Sequence, residues 1–165
     1  MTFTPRTWVV GEVVSAALMN QEIRDQFNSM FAAWTAYTPA WTSTGTAPAI
    51  GNGSITGRYI KFGRTVICEI NMTAGSTTTF GTGNYSWSLP VTAASSGMAV
   101  VGSSMFLGTD RWNGSIVVSS AATTVGAFFP ISSTNTRSDF LSNVRPETLA
   151  SGAQVRLTFV YEAAS

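Results

Sequence analysis

The sequence predicts a mainly β protein, with an N-terminal α-helix followed by an antiparallel β-sandwich or jelly-roll domain. Three observations carry that prediction. The run from Ala16 to Trp34 contains no Gly or Pro and repeats apolar residues every three or four positions. Beyond it, short alternating runs are separated by Gly-, Ser- and Thr-rich turns. Only 10% of the 165 residues are charged, against the ~25% usual in soluble domains. Hydroxyls and aromatics must therefore supply much of the surface.

Residues 1–34 read as a helical anchoring or oligomerisation segment. Ser15 is a good N-cap, because its hydroxyl can accept from a free amide of the first turn. Val14 and Met19 have the spacing of a hydrophobic staple. Glu22 places negative charge near the positive end of the helix dipole. A helix from Ala16 to Trp34 would be a rod of ~28 Å at ~1.5 Å per residue. Met19, Ile23, Phe27, Met30, Phe31 and Trp34 share its apolar face, and Trp8 lies upstream. That face packs either on the chain's own β domain, or on the same helix of other subunits, or on a docking protein. Gln26 falls in the heptad seam, which argues against a long coiled coil.

Residues 35–53 carry Pro39, Pro48, Gly45, Gly51 and Gly53, and read as an extended connector. Tyr37, Trp41 and Ile50 need apolar cover, so the connector is expected to lie on the β domain as a strand-like arm. Residues 54–165 form that domain. Its clearest element is a hairpin, Ile55 to Phe62 and Thr65 to Met72, joined by Gly63-Arg64. A two-residue loop with Gly first predicts a type II′ turn. The resulting register sets Arg58 opposite Glu69 and Ile60 opposite Ile67. Tyr59, Val66, Cys68, Ile70 and Met72 then share the core face. Further strands are expected at Asn84 to Leu89, Met98 to Leu107, Ser115 to Ser119, Thr124 to Phe129 and Gln154 to Glu162. Ser132 to Ser151 reads as a loop over one end.

Composition also limits the chemistry. Nine basic and eight acidic residues leave a net charge of +1, with no histidine and one cysteine. A His/Cys zinc site and a Ser-His-Asp or Cys-His device are therefore excluded within one chain. A broad basic surface for nucleic acid is excluded too, as is an intrachain disulfide. No run is long and apolar enough for a membrane-spanning helix, and residues 1–8 do not form a secretory signal. We expect no enzyme activity, no catalytic residues, no metal and no cofactor.

Two other chemistries have candidate residues. Asp110 and Asp139 could supply the two carboxylates of a glycosidase only if the fold brought them together. Trp112, with Asp110 and Asn113, could contact a glycan, because a Trp face stacks on a sugar while polar neighbours bond its hydroxyls. The plainer reading of Asp110-Arg111-Trp112-Asn113-Gly114 is a hairpin closed by Asn113-Gly114. Trp87 alternates with Tyr85 and Leu89, as a core residue would.

A resemblance points the same way. Trp8, Gly11-Glu12, Val14, Ser15-Ala16, Met19-Asn20 and Ile23-Arg24-Asp25 form the pattern W-x-x-G-E-x-V-[ST]-A-x-x-[LM]-N-x-x-[IV]-R-D. This resembles a short module of virion structural proteins from phages of actinobacteria, of the minor tail or capsid decoration type. Gly51-Asn52-Gly53-Ser54, Gly57-Arg58-Tyr59, Gly75 to Gly83 and Ser88-Leu89-Pro90 are similar to small β domains in that group. The resemblance covers about half of the chain and ends near Val91. It implies a homotrimer on the virion, assembled in the host cytoplasm, whose partners are other capsid or tail proteins. The alternative it leaves is a receptor-binding tip whose partner is host cell-surface carbohydrate.

Overall fold

The computed structural model of the protein describes residues 7–31, 33–96 and 100–164. Residues 1–6 of the N-terminal segment and 98–99 of an expected strand lie outside the described residues. The helical segment opens as α1 (Ala16–Met19), passes through a π-helical turn (Asn20–Arg24) and continues as α2 (Asp25–Met30). Ser15 caps it as the sequence predicts, its Oγ accepting from the Leu18 amide at 3.3 Å. The helix is shorter than expected, ending at Met30 instead of Trp34. Phe31 has already left helical geometry, with φ −107° and ψ 11°. Tertiary pairing explains the stop, because Thr35 is drawn into the sheet opposite Tyr59 only four residues later.

The strands are β1 (Thr35–Tyr37), β2 (Trp41–Ser43), β3 (Ser54–Phe62), β4 (Thr65–Thr73), β5 (Tyr85–Ser88), β6 (Val100–Leu107), β7 (Arg111–Val117), β8 (Thr124–Ser132), β9 (Asn135–Phe140) and β10 (Gln154–Glu162). They form one antiparallel sheet in the order β1-β3-β4-β10-β6-β7-β8-β5-β2, with β9 added on β8. The β3–β4 hairpin has the predicted register, with Arg58 opposite Glu69 and Phe62 opposite Thr65. Gly63 takes φ 56° and Arg64 does not reach positive φ, the pattern of a type II′ turn.

The arm makes the sheet curl. β1 and β2 stand at opposite ends of the hydrogen-bonded path, yet only residues 38–40 separate them. That link spans at most about 14 Å from Tyr37 to Trp41. The two ends of the path must therefore lie side by side. Side chains cross the same gap. The Tyr37 hydroxyl of β1 donates to the Ser88 carbonyl of β5 at 3.4 Å and sits 3.3 Å from Cys68 Sγ of β4. Gly57 permits this approach, since a Cβ there would run into the Tyr37 ring.

Inside the curl lies one apolar core. Val66, Cys68, Ile70 and Met72 of β4 meet Val155, Leu157 and Phe159 of β10, with Phe106, Ile116, Phe129, Tyr85 and Trp87 from the other strands. Each fully buried large side chain contributes roughly 1.5–3 kcal/mol. Trp87 is buried, as its alternation predicts.

Two sequence expectations are corrected. Asn113-Gly114 does not close a hairpin, because both residues lie inside β7, paired with Met105 and Ser104 of β6. The reversal falls instead at Gly108–Asp110, where the Gly108 amide bonds to the Asp110 carbonyl. Residues 132–151 are not simply a loop, since β9 lies among them and pairs with β8. Its Asn-Thr-Arg-Ser-Asp sequence hides this, because an edge strand exposed on both faces needs no apolar alternation.

Candidate assembly surface

The unusual surface of this protein is its N-terminal segment. Among the described residues, eleven of the fourteen exposed large hydrophobic side chains fall between Trp8 and Trp34. They include every residue of the predicted apolar face: Met19, Ile23, Phe27, Met30, Phe31 and Trp34. Trp8 and Val10 upstream are exposed as well. Phe27 is 58% exposed and Phe31 82%. Residues of α1 and of the π turn include none that is buried. Of the packing partners the sequence left open, the chain's own sheet therefore leaves the stripe largely uncovered.

Trp34 marks where this segment meets the sheet. Its ring receives the Arg58 guanidinium at 5.0 Å, a cation–π contact on the outer face of β3. Arg58 also pairs with Glu69 at 2.7 Å, in the predicted cross-strand position. Elsewhere the outer face of β3, β4 and β10 carries few charges and many hydroxyls and amides.

The three residues singled out for a glycan lie around a different feature. Asp110 sits in the β6–β7 turn and is exposed, as is Asn113 in β7, while Trp112 is half-buried against the core. Glu147 organises this corner. Its carboxylate accepts from the Thr109 amide at 2.5 Å, the Asp110 amide at 3.2 Å and Trp112 Nε1 at 3.0 Å. The Trp112 indole N–H is thus engaged within the protein. Nothing in the sequence ties the lone acid of Arg145-Pro146-Glu147 to a turn nearly forty residues earlier. Asp139 is engaged separately by Arg145, which also donates to Asn84 Oδ1 at 2.8 Å. Among the described residues, no three His, Cys, Asp or Glu side chains cluster as metal ligands would. No helix among them is long and apolar enough to cross a membrane.

The interior holds titratable groups in their neutral forms. Burial pushes the Cys68 thiol up to about 11, with the neighbouring Tyr37 hydroxyl partly opposing the rise. Burial, and then the Cys68 contact, raises Tyr37 above the ordinary phenol range, while burial raises Tyr85 and Tyr161 as well. A high-pKa thiol is a poor nucleophile, so Cys68 has the character of a core side chain. A groove of about 430 Å³ lies beside the arm, lined in part by Pro39, Trp41, Pro48, Ile50 and Ile55.

In comparisons with known proteins, no family model, no curated protein and no solved structure matches this chain.

Proposed function

We propose that this protein is an accessory structural protein of a phage particle, without enzyme activity, acting as a homotrimer. Its N-terminal segment docks on the particle and its β domain, of the sandwich or jelly-roll type, is displayed outside. The observation that carries this reading is the exposed apolar stripe from Met19 to Trp34 beside a sheet that has already buried its own core. Monomeric proteins rarely leave a contiguous apolar surface of this kind uncovered. The module that resembles actinobacterial phage virion proteins, Trp8 to Asp25, overlaps the start of this stripe at Met19 and Ile23, which supplies the biological setting. A helix of about 22 Å, at 1.5 Å per residue, and one small domain give short reach. Short reach favours a capsid decoration or short head fibre over a tail fibre or receptor-binding tip.

The test is particle incorporation. In phage carrying Phe27→Ser and Phe31→Ser, the protein should be made and folded yet missing from purified particles. Normal incorporation would remove the docking role. Quantitative mass spectrometry of wild-type particles then separates the locations. Copies in proportion to the capsid subunits fit decoration, whereas copies limited to a single tail fit the tail component.

A further inference from the structure

A small pocket opens on the outer face of the sheet, where β5, β8 and β7 lie side by side. Gly126 of β8 is paired with Ser86 of β5 on one side and with Val117 of β7 on the other. Each sits next in sequence to core residues, such as Trp87, Val125 and Ile116, and so faces outward. Gly126 keeps the floor low and lets the Phe140 ring of β9 lie against it, since a Cβ there would run into that ring. Phe128 supports Phe140, with ring centroids 4.2 Å apart. The cavity measures about 280 Å³, and Thr44, Asn84, Ser86, Ser119 and Thr124 supply its polar groups. None of the described residues that line it is charged, and none belongs to the Trp112 corner. Two of the polar groups are oriented by the fold. Arg145 Nη2 meets Asn84 Oδ1 at 2.8 Å. A guanidinium has only donors, so the oxygen must face it, which leaves both Nδ2 donors of Asn84 unused by that contact. Thr44 Oγ1 accepts from the Asn84 amide at 3.0 Å and keeps its own O–H to donate.

We infer that this pocket binds one neutral sugar ring of a glycan. A pyranose carries hydroxyls around its edge and C–H groups on its faces. The amide and hydroxyls of the pocket can bond the edge, while Phe140, Val117 and Ala122 cover a face. Other ligand classes fit less well. A phosphate or a uronate would enter without a counter-charge, because the nearest cation, Arg145, is already paired with Asp139. A wholly apolar ligand would leave five polar side chains without partners. The volume lies just below the ~300–1,000 Å³ of sites for larger ligands, which limits the occupant to about one ring. The inference is independent of the homotrimer and of where the protein sits on a particle.

An NMR titration of the isotopically labelled full-length chain tests it. The probes are the methyl pyranosides of glucose, galactose and mannose, with methyl glucuronide as the charged comparison. At least one neutral glycoside should shift the amides of Asn84, Ser86 and Thr124 saturably, and the glucuronide should bind about tenfold more weakly or worse. Asn84→Asp keeps an acceptor for Arg145 but loses both N–H donors, and should weaken binding about tenfold. Thr124→Trp, at an exposed position, should fill the mouth of the pocket and abolish the shifts, with an unchanged circular dichroism spectrum. The inference is overturned if no neutral glycoside gives saturable shifts, if the glucuronide binds equally well, or if both variants bind as wild type does. Shifts centred on Trp112 would place the sugar at the other corner and overturn it too.

Discussion

The N-terminal segment and the sheet are comparably apolar, yet they treat their apolar residues in opposite ways. In β4 and β10, Val66, Ile70, Val155 and Leu157 alternate inward and vanish into the core. In the helical segment, Ile23, Phe27 and Phe31 are periodic too, but their stripe faces outward. The difference is one of layers. A sheet that curls on itself provides its own facing surface, whereas a lone amphipathic helix needs another element to cover it. Hydrophobicity in the first region makes a fold; in the second it leaves a surface for association.

This contrast can be broken by measurement, starting with the interior. Trp87→Ala should cost about 3–5 kcal/mol, seen as a large drop in denaturation midpoint or as outright unfolding. A small loss would mean that the core is not closed around Trp87. Glu147→Ala strips three N–H donors of their acceptor and should cost roughly 2–3 kcal/mol. It should also loosen the Gly108–Asp110 turn, visible as faster amide exchange at Thr109 and Asp110.

Alkaline pH probes the same interior. The Cys68 thiol has an ordinary value of 9.0 and rises to about 11 in the folded state, and three buried tyrosines shift upward with it. Above the unfolded value, the unfolded chain releases its protons first and gains stability relative to the fold. The melting temperature should therefore be unaffected by these groups below pH 9 and fall as pH rises towards 11. Cys68→Ala should make that decline shallower; an identical slope would argue that Cys68 is not buried as described.

Smaller effects belong to the N-terminal segment. Ser15→Ala removes the cap on the Leu18 amide and should cost about 1 kcal/mol of local helix stability, measured as faster exchange in residues 16–19. Deleting residues 1–31 should change the unfolding free energy of the sheet by only about 0.5 kcal/mol, the range of surface changes. A truncated chain that fails to fold would show that the two regions are not independent.

Legibility differed along the chain for physical reasons. The β3–β4 hairpin could be read because Gly63, the Arg58–Glu69 pair and the alternating core face all select one register. Strand β10 could be read from alternation alone. The helix start was visible in Ser15, but its end was not, because pairing of Thr35 with Tyr59 stops it. Strand β9 was hidden by its polarity. Glu147 was hidden by distance, since its partners at Thr109, Asp110 and Trp112 are joined to it only through the fold. The Ile60–Ile67 pairing was readable from the hairpin, but the place of β10 beside β4 was not.

By itself the sequence determined the mainly β class, the capped helix, the II′ hairpin and the scarcity of charge. These depend on nearest neighbours, on period and on composition, all of which are local properties. Only the tertiary structure decided that β1 and β2 sit at opposite ends of one path and that the arm brings those ends together. It alone decided that the sheet interior is filled without help from the helix. Long-range pairing and the sharing of core volume fix these features, and neither is written in any single segment.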